Sequence, residues 1–155
     1  MVVDCIISVQ QAAAAKDVFW FDCRAVLGHP GYGEEAYLLD HVPDATYINL
    51  ETELSGEIIP GVTGRHPLPD KQAFADCLKQ KGLHKNQSVI AYDADNGAFA
   101  ARLWWMLRWI GHTNVSVMNG GFAAWKAAGL PTTNILPSHP TGDIEVNNLH
   151  SINQR

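Results

Sequence analysis

An α/β fold, with a largely parallel sheet between layers of helices, is what the order of apolar segments in this chain predicts. Short runs of strand character alternate along the 155 residues with longer runs of helical spacing, the pattern left by strands joined through helical crossovers. The strand-like runs Val18-Phe19-Trp20-Phe21-Asp22-Cys23 and Ser88-Val89-Ile90-Ala91-Tyr92-Asp93 are apolar at consecutive positions, as strands covered on both faces are. The helical runs stop at glycines, Gly82, Gly111 and Gly129, where a left-handed residue ends a helix at least cost.

Taken in order, Val2-Val3-Asp4 reads as a first strand, and Ser8 can cap a helix from Val9 through Ala15. The strand ending at Cys23 runs into a glycine-rich loop, Gly28 to Gly33, and then a short helix around Glu34 to Asp40. His41-Val42-Pro43 leads to a strand over Ala45 to Leu50, followed by a long irregular stretch from Glu51 to Pro69. Asp70 can cap a helix that places Ala73, Phe74, Cys77 and Leu78 at helical spacing. After the strand ending at Asp93 come a helix from about Phe99 to Ile110, a strand over Val115 to Met118 and a helix around Phe122 to Ala128.

The composition narrows the function classes. A hydrophobic content of 46% with five tryptophans supplies a full core for one domain. A net charge of −5 offers no basic stripe for phosphates, so neither nucleic acid nor an anionic membrane surface is an expected partner. Cys5, Cys23 and Cys77 are odd in number and widely spaced, which fits neither a disulfide framework nor a metal cluster and points to a reducing, cytoplasmic setting. The start of the chain has neither the basic region of a signal peptide nor the length of a membrane span.

Ligands of open α/β sheets bind beyond the carboxyl ends of the strands, which places the loop Ala94-Asp95-Asn96-Gly97-Ala98 where a site is expected. Backbone N–H groups opening the next helix can hold an anion there. Asp93 stands at the mouth of that loop, either as a carboxylate capping it or as a reacting group. A hydrophobic strand ending Asp93-Ala94-Asp95 also resembles the first motif of haloacid-dehalogenase-type, magnesium-dependent phosphatases, although Asn96-Gly97 follows it and that family's lysine and later acidic pair have no evident counterpart. Asp22 and Arg24 form a plausible loop-fixing pair, and His41 reads as a turn histidine bonded to backbone. Cys23 is the rival nucleophile, although no helix N-terminus follows it. On the helix after Asp93, Phe99, Leu103, Met106 and Ile110 make the expected core face. Trp104 is then free for an interface, and Trp105 is assigned to the core.

Several separated motifs resemble the rhodanese-like sulfurtransferases over roughly residues 2 to 133: Phe21-Asp22-Cys23-Arg24, Asp40-His41-Val42-Pro43-Asp44-Ala45, the strand and loop at Asp93, Arg102-Leu103-Trp104-Trp105-Met106-Leu107-Arg108, and Asn119-Gly120-Gly121-Phe122-Ala123-Ala124-Trp125. The resemblance implies a three-layer domain with a mainly parallel five-stranded sheet flanked by helices. Active members carry a cysteine at the strand-to-loop junction that takes up sulfur as a persulfide. Here Asp93 occupies that junction, so no catalytic residue is expected in this chain.

The wording is closest to the first, non-catalytic domain of tandem thiosulfate or 3-mercaptopyruvate sulfurtransferases. Residues 1–133 are then that domain, and residues 134–155 a linker toward a second rhodanese-like domain that supplies the cysteine. Gly61 to Pro69 resembles the loop that faces the second domain's active site. Arg65 and His66 on it are the candidate ligands for a small anionic sulfur donor in the interdomain cleft. No cofactor and no metal are implied. A protein-interaction module built on the same fold is the alternative.

Overall fold

The computed structural model describes residues 5–58 and 67–147. Its elements are β1 (Ile6–Ile7), α1 (Val9–Ala14), β2 (Val18–Asp22), α2 (Tyr32–Leu39), β3 (Thr46–Tyr47), α3 (Lys71–Lys81), β4 (Ser88–Tyr92), α4 (Ala98–Trp109), β5 (Val115–Met118) and α5 (Gly121–Ala127). The strands form one five-stranded sheet in the order β1-β5-β4-β2-β3, every pair parallel. The predicted alternation is therefore realised as crossovers.

Strand alternation divides the core in two. Phe19, Phe21, Val89, Ala91, Val115 and Val117 face α3 and α4, whereas Trp20, Ile90, Tyr92 and Met118 face α1, α2 and α5. Two predicted caps form: Ser8 Oγ accepts Gln11 N while Gln11 Oε1 accepts Ser8 N, and Asp70 Oδ2 accepts Ala73 N at 3.1 Å. Gly82 ends α3 in the left-handed region, with φ 105°.

The edges of the sheet depart from expectation. Val2–Asp4, read as the first strand, lie outside the described residues, and the pairing with β5 is made by Ile6–Ile7. The strand expected over 45–50 pairs only at Thr46 and Tyr47. Beyond it the chain turns, with Asn49 Oδ1 accepting Glu51 N and Thr52 N; a side-chain acceptor offers the backbone an alternative to the ladder. Asp44 stands at a left-handed position, φ 68°, which aspartate tolerates better than most residues.

Tryptophan placement reverses the expectation on α4. Trp104 is buried in the core at 4% exposure, and Trp105 is 36% exposed and stacked on Trp109. Ala100, Leu103, Trp104 and Leu107 are all buried, a stripe of i, i+3, i+4 and i+7 spacing that lies beside the expected Phe99 face. Trp105, roughly 100° further round the helix than Trp104, falls outside it.

Residues 134–147, the described part of the stretch read as a linker, touch the domain at several points. Gly142 N donates to Lys79 O, Ile144 N to Leu83 O and Asn147 N to Ile110 O, while Ile144 is 3% exposed within the α3–α4 core. Among the described residues no helix is long and apolar enough to cross a membrane.

Candidate functional site

The loop after β4 is built around the carboxylate of Asp93. Oδ1 accepts Gly97 N, and Oδ2 accepts Phe99 N and Ala100 N, each at 3.0 Å. These donors open α4, where N–H groups have no partner within the helix and the helix dipole favours negative charge. Asn96 Oδ1 adds a bond from Ala98 N at 2.9 Å. Asp93 is 1% exposed, so the cradle is filled by the chain's own carboxylate.

Two glycines permit this geometry. Gly97 turns the chain into α4 at φ 84°. Gly121 lets the start of α5 approach the loop: a Cβ there would lie 2.6 Å from Asp93 O and 2.8 Å from Asp95 N. The approach is sealed by Phe122 N donating to Asp93 O and Ala123 N to Ala94 O. The Gly120-Gly121 turn that leads from β5 into α5 is thus also one wall of the Asp93 loop.

A second buried charge network supports the strand ends. Asp22 accepts Arg24 Nε at 3.0 Å and pairs with Arg24 Nη2 at 2.8 Å, confirming the loop-fixing pair. Tyr92 donates to Asp22 Oδ2 at 2.7 Å and accepts Val42 N at 3.1 Å. Sequence reading missed this role of Tyr92, because an aromatic in an apolar strand carries no mark of where its hydroxyl will go. His41 lies against backbone as expected, with Nδ1 2.7 Å from Tyr37 O and Nε2 3.0 Å from Ile135 O.

Cys23 does not have the environment of a nucleophile. It is 1% exposed, and burial, followed by the negative charges of Asp22 and Asp93, pushes its thiol well above the ordinary value. Iodoacetamide is expected to modify the exposed Cys5 in the native chain and Cys23 only on unfolding. Native labelling of Cys23 as fast as Cys5 would contradict this. Because the folded pKa is raised, the stabilising contribution is complete below the unfolded value, about 8.5, and is lost as pH climbs toward the folded one. The urea midpoint should therefore fall above that pH.

Arg65 and His66, the candidate anion ligands, lie outside the described residues. What is described is the frame of their loop: Gly56 N donates to Pro67 O at 2.7 Å.

A parallel α/β domain whose β4 loop folds around an anion position, closed against a Gly-Gly turn, defines the class. The chain belongs to the rhodanese-like family: the family profile described as "Rhodanese-like domain" matches residues 8–128. It is 44% identical over 144 residues to a probable 3-mercaptopyruvate sulfurtransferase of Pseudomonas aeruginosa, covering 90% of this chain and 51% of that protein. It is 40% identical over 115 residues to the thiosulfate sulfurtransferase of Bos taurus, covering 72% of this chain and 37% of that one. Among solved structures, the 3-mercaptopyruvate sulfurtransferase from Leishmania major superposes with a TM-score of 0.80 at 34% identity, over 90% of this chain and 38% of that one. The 3-mercaptopyruvate sulfotransferase of Escherichia coli does so at 0.77 and 25% identity, over 92% and 56%. The chain spans about half the length, or less, of the curated relatives it matches.

Proposed function

We propose that this chain is the non-catalytic rhodanese-like half of a thiosulfate or 3-mercaptopyruvate sulfurtransferase. In this reading the persulfide forms on a cysteine of a second rhodanese-like domain, and this half supplies Arg65 and His66 to an anionic donor in the cleft between them. The observation that carries it is the carboxylate of Asp93, which takes up the three N–H groups at 3.0 Å. Sulfur transfer needs a thiolate that attacks the donor's outer sulfur and keeps it as a persulfide while sulfite or pyruvate leaves. A carboxylate oxygen forms no persulfide, and Asp93 also fills the space where a thiolate would sit.

The same bonds weigh against Asp93 as a phosphatase nucleophile, since both its oxygens accept backbone N–H groups in a residue that is 1% exposed, whereas a nucleophile needs an oxygen open to its substrate. An interaction module working through Trp104 has no support from a side chain that is 4% exposed; Trp105 is the tryptophan available for such a surface.

Thiocyanate formation from thiosulfate and cyanide tests the proposal. The chain alone is expected to give none above the uncatalysed rate. The reading frame carried past Arg155 is expected to encode a second rhodanese-like segment with cysteine at the junction, and that longer protein to turn over and to lose activity on His66→Ala. Turnover by the chain alone that persists in Cys23→Ser would overturn the proposal.

A further inference from the structure

Asn96-Gly97 and Asn119-Gly120 are both asparagine–glycine steps, and the fold brings them to the rim of one cleft of about 270 Å³ beside the start of α4. The backbone requires glycine at both places: φ is 84° at Gly97 and 81° at Gly120, and a Cβ on Gly120 would lie 2.6 Å from Ala124 Cβ. That requirement has a chemical consequence. An asparagine before glycine can cyclise: the glycine amide nitrogen, having given its proton to base, attacks the asparagine Cγ, and Nδ2 leaves as ammonia. Water then opens the cyclic imide to aspartate or to isoaspartate. Glycine permits this because no side chain crowds the attacking nitrogen.

Both asparagines are exposed, so access does not separate them, but their glycine amides are held differently. Gly97 N donates to Asp93 Oδ1 at 3.0 Å, on a carboxylate that is 1% exposed. Cyclisation at Asn96 would have to break that bond and form a nitrogen anion against a buried negative charge. The Asn96 side chain is held as well, since its Oδ1 accepts Ala98 N at 2.9 Å. At Asn119 the bonds lie elsewhere. Its own N donates to Ile7 O at 2.8 Å, and Gly120 O accepts Ala124 N at 3.2 Å. The Gly120 N–H and the Asn119 side chain have no partner among the described residues.

We propose that Asn119 is a deamidation site of this domain and that Asp93 shields Asn96 from the same reaction. Isoaspartate at 119 would add one methylene to the main chain of a turn fixed at Ile7 O on one side and by the close approach of Gly121 to Asp93 O on the other. The added length is taken up where Phe122 N donates to Asp93 O and Ala123 N to Ala94 O, so the modification loosens the wall of the Asp93 loop.

Peptide mapping by mass spectrometry of the full chain, aged in mildly alkaline buffer with and without urea, tests the assignment. In urea the two asparagines are expected to react alike. In the native chain Asn96 is expected to be slower than Asn119 by at least roughly tenfold, the worth of one hydrogen bond to a charged acceptor. Asp93→Asn turns its one remaining oxygen to Phe99 N and Ala100 N and leaves Gly97 N without an acceptor; it is expected to speed Asn96 and leave Asn119 as it was. The isoaspartate fraction, separated by ion exchange, is expected to show faster hydrogen exchange at the Phe122 amide, with little change at the Cys23 amide, which donates to Tyr92 O in the sheet. Asn119→Gln should abolish that fraction. A native Asn119 no faster than Asn96 would overturn the site. Acceleration of both asparagines together in Asp93→Asn would assign the protection to the fold as a whole and overturn the shielding by Asp93. Isoaspartate at 119 with an unaltered Phe122 amide would overturn the loosening of the loop.

Discussion

Asp93→Ala is expected to destabilise the domain by about 2–4 kcal/mol, although the residue is proposed to perform no chemistry. Hydrogen bonds to a charged acceptor contribute about 1.5–3 kcal/mol each, and three of them end on this carboxylate. The sum is not additive, because the donors share one acceptor group and Gly97 and Phe99, being half-buried, recover water when it is removed. Asp93→Asn keeps the shape but loses the charge and one acceptor, so about half the loss is expected. Urea unfolding of the three proteins measures the series, and Asn costing as much as Ala would mean that shape and not charge is held there. Asp93→Cys probes the cradle from the other side. A thiol offered the same N–H groups at a helix start should titrate below the ordinary value of about 8.5. A value at or above it would show that the donors stabilise no anion once the carboxylate is gone.

The sequence was most informative where a local signal coincided with a tertiary need. Strand positions apolar on successive residues marked β2 and β4, which are covered on both faces. Ser8 and Asp70 announced helix starts because capping is a contact over three residues. Asp93 was legible as an occupant of the cradle because the strand, loop and helix around it are contiguous in the chain. Features that depend on distant partners were not. The short β3 follows from the Asn49 turn, and the packing of 134–147 from Ile144 finding a place between α3 and α4. No local pattern marks either. The exchange of roles between Trp104 and Trp105 reflects a helix whose apolar residues occupy more than one stripe, so periodicity alone did not orient it. Arg102 was legible as part of a family-like helix, but its reach to Leu54 and Pro67 depends on a loop crossing that spacing does not encode.

Asp22→Ala is expected to be the most damaging single change, at about 3–5 kcal/mol, the range for breaking a buried ion pair by removing one partner. Arg24 is 6% exposed, and its guanidinium lies 4.3 Å from the centre of the Phe122 ring and donates to Asp40 O at 2.5 Å. Without Asp22 these neighbours keep the cation out of water but supply no counter-charge. The loss also reaches β4, because the Tyr92 hydroxyl that accepts Val42 N would lose its own acceptor. One carboxylate thus connects β2, β4, the 40–42 turn and, through Arg24, the first turn of α5 that closes the Asp93 loop. Against a total stability of about 5–15 kcal/mol, the change is expected to leave a substantial unfolded fraction. Tyr92→Phe removes only the hydroxyl and should cost about 1–2 kcal/mol, and the Asp22→Ala, Tyr92→Phe double variant should cost less than the sum, since both singles break the same bond. Strict additivity, or a loss below about 1 kcal/mol for Asp22→Ala, would mean that Arg24 regains water on losing its partner and that the network does not support the strand ends.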